Sequence, residues 1–281
     1  MPETIGQIGE LRDRLKSVRT KGKSIGLVPT MGALHEGHAM LLRRARAEND
    51  VVVASIFVNP LQFDRKEDLE HYPRTMEADI RVCESCGVDI VFAPGPADLY
   101  PQEQLTFVES PALSEYLCGH YRPGHFRGVA TVVLKLFNIV QTDRAYFGEK
   151  DAQQLAVIRR MVQDLNVPVT VVPVATVREK DGLALSSRNK HLTTAQREIA
   201  PVLAKALHHA ADLIEGGERS AAAVRAQAVT LFEKFPEARV EYFEIADPDT
   251  LTPVDRIEAP VLIAGAMWLG TTRLIDNISW R

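Results

Sequence analysis

The succession of apolar runs along this chain predicts an α/β protein, a doubly wound, mostly parallel sheet followed by a smaller α+β domain. Three observations carry that expectation. Short runs at 24–28, 51–58, 88–92, 145–147 and 169–174 are nearly continuous in apolar residues rather than alternating, as in strands covered on both faces. Stretches with helical spacing lie between them, near 36–48, 75–86, 127–140 and 151–165, and such alternation implies parallel strands joined by right-handed crossovers. After about residue 176 the order changes to two helices and then three strands. A chain of 281 residues exceeds what one core usually covers, so domains are expected at 1–176 and 177–281.

Element by element, Ile5, Ile8, Leu11 and Leu15 interleave with charges and predict an amphipathic first helix. Ile25, Leu27 and Val28 predict a buried strand that the Pro29–Gly32 segment ends. Leu41, Leu42 and Ala45 place an apolar stripe on a helix from Glu36 to Glu48. Met76, Ile80 and Cys83 do the same for the helix near 75–86. The segment from Pro94 to His125, rich in Pro, Gly and Tyr, reads as irregular, and a loop that long is more often a site wall or lid than a connector. Further on, helices are expected near 194–215 and 220–235, separated by Gly216-Gly217. Strands follow near 240–246, 260–268 and 272–278, the last two forming a hairpin at Gly270.

Composition narrows the function classes. A formal net charge of −4 without a long basic run gives no case for a nucleic-acid partner. No apolar run approaches the length of a membrane span, and the amphipathic N-terminus is unlike a signal peptide, so a cytoplasmic protein is expected. Three cysteines are too few for a disulfide framework. Cys83-Glu-Ser-Cys86 has redox or zinc spacing, but without a second pair it reads as small packing residues on a helix.

Ligands of open parallel sheets bind beyond the carboxyl ends of the strands. After the first strand comes Thr30-Met-Gly-Ala-Leu-His35-Glu-Gly-His38, two histidines at a strand-to-helix turn, where free N–H groups and the helix dipole favour anions. Gly32 and Gly37 would let a phosphate approach the backbone. Asn59-Pro-Leu-Gln62 follows the second strand, Gly148-Glu-Lys-Asp151 the fourth, and Ser186-Ser187-Arg188 lies at the domain junction. Asn59, Gln62 and Gln154 read as hydrogen-bond partners of a polar substrate. The pair is not a zincin motif, since Ala39 stands where that motif needs its second His. A P-loop is absent and no G-x-G-x-x-G follows the first strand, which disfavours a P-loop NTPase and a dinucleotide dehydrogenase. Four modest signals thus fall where one doubly wound site would collect them.

Val28-Pro-Thr-Met-Gly-Ala-Leu-His-Glu-Gly-His38, Phe57-Val-Asn-Pro-Leu-Gln-Phe63, Tyr72-Pro-Arg74, Gly124-His-Phe-Arg-Gly128, Phe147-Gly-Glu-Lys-Asp151 and Leu185-Ser-Ser-Arg-Asn189 together resemble the motifs of the pantothenate synthetase family, in its order. The H-x-G-H element alone marks only the wider nucleotidyltransferase superfamily. One departure is Leu185, where the family usually has Met. The resemblance implies a Rossmann-like domain with a C-terminal lid domain, and ATP-dependent condensation of (R)-pantoate with β-alanine through pantoyl adenylate, releasing pyrophosphate and AMP. It implies catalytic roles for His35, His38, Lys150 and Arg188. ATP-binding segments carry over as Met31, Gly32, Ala33, Leu34, His35, Glu36, Gly37 and His38, then Gly148, Glu149, Lys150 and Asp151, then Val177, Leu185, Ser186, Ser187 and Arg188. Pantoate and β-alanine are assigned to Met31, Asn59, Gln62 and Gln154. Mg²⁺ is implied without a direct protein ligand, Asp151 reaching it through water, and the family's homodimer is implied as well. Two rivals remain, a simple nucleotidyltransferase and a non-catalytic nucleotide-binding module.

Overall fold

A computed structural model of the chain describes residues 1–64 and 66–281, Lys66 by its backbone alone. The chain divides into two compact units. The first comprises 1–110, 122–149 and 157–175, and the second 111–121, 150–156 and 176–281. In order, the elements are β1 (Glu3–Ile5), α1 (Ile8–Arg19), β2 (Ile25–Thr30), α2 (Glu36–Glu48), β3 (Val51–Ile56), α3 (Lys66–Glu70), α4 (Met76–Ser85), β4 (Ile90–Phe92), α5 (Pro96–Leu99), α6 (Pro111–Ser114), α7 (Leu117–Tyr121), α8 (His125–Val140), β5 (Arg144–Gly148), α9 (Ala152–Asp164) and β6 (Thr170–Val174). Then come α10 (Thr194–Ile199), α11 (Val202–Glu215), α12 (Ala221–Val229), β7 (Ala238–Ala246), β8 (Val261–Leu269) and β9 (Thr272–Trp280). Among the described residues no helix is long and apolar enough to cross a membrane.

The first unit carries the expected parallel sheet, in the order β1-β4-β3-β2-β5-β6. The chain winds outward from β2 through β3 to β4, then returns to place β5 and β6 on the other side. The switch point therefore lies between the carboxyl ends of β2 and β5, where such sheets bind ligands. β2 runs past Pro29 to Thr30 instead of stopping there. The reason is which side the missing N–H faces. Ser24 and Thr30 bond toward β3, through the N–H groups of Val51 and Phe57, whereas Ile25 bonds toward β5 through Asp143. By strict alternation Pro29 faces β5, and β2 pairs with β5 only at Gly26 and Leu27. No ladder bond is lost.

β1 was not expected. Ile5, read as a helical position, is a strand residue paired with Phe92, and three residues are too few to show a period. On one face, α2 packs Ala39, Leu41, Leu42 and Ala45 onto Val28, Val52, Ala54 and Tyr146. α4 differs from its predicted stripe, since Met76 is exposed while Asp79 and Cys83 are buried. The Cys83 thiol is pushed up to about 12 by burial, with Asp79 and Cys86 adding to it, and both cysteines sit as buried packing residues. Within 94–125, read as irregular, the structure forms the short helices α5, α6 and α7.

The second unit contains the antiparallel sheet β7-β8-β9, with β8 and β9 joined at Gly270 as the sequence suggests. α11 covers it, burying Leu203, Ala206, Leu207, Ala210 and Ile214 in one core with Phe243, Ile245, Ile263, Met267 and Leu274. The single helix expected at 194–215 is broken in two. Pro201 has no N–H to bond the Arg197 carbonyl four residues back, so α10 ends and α11 starts afresh. The helix near 220–235 likewise ends at Val229 and continues as a 3₁₀ turn to Lys234.

Candidate active site

At the carboxyl end of β2 the chain makes a turn whose geometry is set by one buried carboxylate. Gly32 and Ala33 both have left-handed backbones, φ +84° and +51°. Their conformation lets the N–H groups of Ala33 and Leu34 converge on Asp79 of α4, at 3.0 and 2.8 Å. The Thr75 hydroxyl donates to the same carboxylate, at 3.2 Å to each oxygen. Asp79 is only 2% exposed. A Cβ at Gly32 would lie 2.9 Å from Asp79 Oδ2, so glycine is required here for space as well as for φ. Asp79 is absent from the sequence-derived site because an acidic residue in a first helical turn ordinarily faces water.

The turn delivers the histidines to the start of α2. His35 is the N-cap; its Nδ1 accepts the Gly37 N–H at 3.1 Å, and His38 Nδ1 accepts the His35 N–H at 3.3 Å. This is a capping box with imidazoles in place of the usual Ser and Glu. A ring nitrogen that accepts carries no proton, so each neutral ring keeps its proton on Nε2. The cap thereby makes both histidines Nε2–H donors. Their rings lie 4.1 Å apart, and a Cβ at Gly37 would stand 2.9 Å from His35 Cε1. Two ring donors beside a helix N-terminus form a place for a phosphate. Met31, Leu34, His35, Gly37 and His38 are half-buried there, and Glu36 is exposed, paired with Arg43.

The turn after β3 is built differently from its reading. Asn59, expected to touch substrate, is 1% exposed, and its amide is spent. Nδ2 donates to Gln62 Oε1 at 3.0 Å and to the Gly128 carbonyl at 3.1 Å. Oδ1 accepts from the Tyr100 hydroxyl at 2.8 Å and from the Leu61 N–H at 3.4 Å. No lone pair or proton remains for a ligand. Gln62 is also buried, 9% exposed, but among the described residues only its side-chain oxygen is committed, and its backbone carbonyl accepts from His125 Nδ1 at 2.8 Å. α8 can press against this turn only because of Gly128, whose added Cβ would lie 2.3 Å from the Leu61 carbonyl oxygen. His125, Gly128 and Tyr100 escaped the sequence reading as site residues, although the first two lie in a motif it quoted.

After β5, which ends at Gly148, Glu149 follows in the first unit. In the second unit, Lys150 and Asp151 stand 3.9 Å apart. Two adjacent glutamines separate cleanly. Gln153 is buried and holds the carbonyls of Leu113 and Tyr116 and the Gly119 N–H, whereas Gln154 is half-buried with no hydrogen bond among the described residues. Val177 and Leu185 meet at the base of a small hairpin, where the Leu185 N–H donates to the Val177 carbonyl at 2.9 Å. Arg178, beside them, grips buried Asp276 at 2.5 and 3.0 Å, which fixes that base. Ser186 caps the 3₁₀ turn at Ser187–His191 through the Arg188 N–H. Lys150, Ser186, Arg188 and Asn189 line a cavity of about 10 Å³, room for one water, and the buried Oδ1 of Asn189 has no partner among the described residues.

Comparison with known proteins identifies the kin of this chain. The family model described as pantoate-beta-alanine ligase matches residues 3–279. A curated pantothenate synthetase of Moorella thermoacetica is 55% identical over 276 residues, 98% of each chain. The crystal structure of pantothenate synthetase from Thermus thermophilus superimposes with a TM-score of 0.93 at 47% identity, over 98% of both chains. That of pantoate-beta-alanine ligase from Francisella tularensis, complexed with beta-gamma ATP and beta-alanine, gives 0.80 at 34% identity, over 99% of this chain and 97% of that one.

Proposed function

The chain belongs to the pantoate-beta-alanine ligase family, whose members join pantoate to β-alanine, and we propose that this protein does so through a pantoyl adenylate formed at the turn after β2. The observation that carries the reading is the pair of imidazoles in one capping box at the sheet's switch point. In the first step a pantoate carboxylate oxygen attacks the α-phosphorus of ATP, the bond to the β-phosphate oxygen breaks, and pyrophosphate leaves. In the second the amine of β-alanine attacks the acyl carbon, gives up a proton, and AMP leaves. The protein's work in both is positioning and charge stabilisation.

In this reading His35 and His38 donate Nε2–H to the phosphates, His38 being the proton donor to the departing group. Lys150, Ser186, Ser187 and Arg188 bind the triphosphate, and Met31 to Leu34, Gly148, Glu149, Val177 and Leu185 hold the nucleotide. Gln62 and Gln154, both with uncommitted amide protons, bind the pantoate oxygens without neutralising the nucleophile. The donor set suits a Mg²⁺ that arrives with ATP, since that ion keeps waters and phosphate oxygens and asks for one or two carboxylates. Asp151, half-exposed beside Lys150, would meet it through water. Bound Mg²⁺ would neutralise phosphate charge. Buried free cysteines agree with a cytoplasmic enzyme.

Purified protein given ATP, Mg²⁺ and pantoate, with and without β-alanine, tests the reading. AMP and pantothenate should accumulate at turnover only when β-alanine is present. Adenylate formation without amide would point to a nucleotidyltransferase, and binding without any turnover to a non-catalytic module. For the homodimer, the supporting feature lies at 104–108, a segment in no helix or strand that leaves Leu105 83% exposed and Phe107 beneath the Arg127 guanidinium. Sedimentation should give twice the mass of one chain at micromolar concentration; a monomer's mass would remove that assignment.

A further inference from the structure

The Asn59 amide has no atom to spare for substrate and the Tyr100 hydroxyl spends its proton on it, yet together they decide what Gln62 offers one. The hydrogen bonds of this chain run in one direction. A tyrosine hydroxyl facing Oδ1 must donate, and burial pushes the Tyr100 phenol up, so it keeps its proton to do so. The Leu61 N–H requires an oxygen at the same place, and the Gly128 carbonyl requires an amino group on the other side. The Asn59 amide therefore has one orientation. Its Nδ2 then faces the Gln62 side chain, which must turn its oxygen inward at 3.0 Å. Tyr100 is itself clamped, with Lys135 Nζ 4.9 Å above its ring and the Phe57 ring 6.1 Å away.

We propose that Tyr100 and Asn59 are positioning residues that fix the Gln62 amide with its oxygen inward, so that Gln62 meets the acid substrate with two N–H donors and no acceptor. Such a group takes carboxylate and hydroxyl lone pairs. The inference rests on Gln62 being a pantoate ligand, as read above.

Asn59→Asp is the decisive variant. A carboxylate can still accept from Leu61 and Tyr100, but it offers Gln62 only lone pairs, so the Gln62 amide turns over and presents its oxygen to the acid. The KM for pantoate should rise ~10²-fold, because a site built to pair an oxygen then opposes it. The KM for ATP should stay within about threefold, since the nucleotide does not see that amide. Gln62→Glu should give the same pantoate-specific loss. Because the carboxylate of Asn59→Asp also faces the Gly128 carbonyl and the variant can fail to fold, Tyr100→Phe supplies the second measurement. It removes one hydroxyl and should raise the pantoate KM about 5- to 10-fold, the worth of one neutral hydrogen bond. Unchanged pantoate KM in Tyr100→Phe, or ATP and pantoate KM rising together in either variant, would overturn the relay. Failure of the underlying reading looks different: Gln62→Ala would then leave pantoate KM untouched.

Discussion

Replacing His38 by alanine should lower kcat for pantothenate formation by ~10²–10³-fold, roughly 3–4 kcal/mol of transition-state stabilisation, the range found when one preorganised donor is removed. The ring does two jobs that the geometry allows to be separated. Its Nδ1 receives the His35 N–H, and its Nε2 carries the proton. Alanine removes both, so a loss of about 0.5–2 kcal/mol in stability should accompany the kinetic defect, the usual cost of losing a cap. His38→Gln distinguishes them. Glutamine at this third helical position accepts the N-cap N–H as in an ordinary capping box. It should return the melting temperature toward that of the parent chain without restoring turnover. Thermal melts and steady-state kinetics on both variants decide the matter. Near-normal kcat in either one would take His38 out of the chemistry and leave it a cap.

Where periodicity or a turn residue dictates structure, the chain could be read directly. α2 has the expected bounds because its apolar stripe is flanked by a polar cap and by Asn49, and the Gly270 hairpin follows from two apolar runs with a glycine between. The parallel order needed only the alternation of element types. What could not be read are features decided by tertiary partners. Pro29 is harmless only because β5 pairs no farther than Leu27. Pro201 breaks a helix whose amphipathic pattern continues across it. Asn59 and Gln154 carry the same amide, and only the tertiary hydrogen bonds show that the first is spent and the second open. The histidine pair was legible as an anion-friendly turn, while its tautomers come from hydrogen bonds between backbone and ring that spacing alone does not specify.

The same limit hid Asp79, where the largest stability effect is expected. Its carboxylate is the acceptor for the Ala33 N–H, the Leu34 N–H and the Thr75 hydroxyl, in a place 2% exposed. Asp79→Ala leaves those donors unmatched, and each orphaned buried donor costs ~1–3 kcal/mol. Ala33 makes the turn ready to move once they are unmatched. A non-glycine residue at φ +51° stores strain of roughly 1 kcal/mol or more, and it keeps that conformation only while its surroundings insist on it. The expected net loss is about 3–5 kcal/mol, because water entering the gap and relaxation of the strained turn offset part of that cost. Activity should fall further than stability does, because the released turn is the one that sets His35 at the head of α2. Asp79→Asn refines the argument at constant shape. One oxygen still accepts, but the new amino group meets a backbone N–H donor to donor, so an intermediate loss of stability and a raised KM for ATP are expected. Urea titrations and ATP kinetics on the two variants measure this. Should Asp79→Asn match the parent chain within about 0.5 kcal/mol and bind ATP as well, the turn must hold its own shape, and the buried carboxylate would be a passenger rather than its anchor.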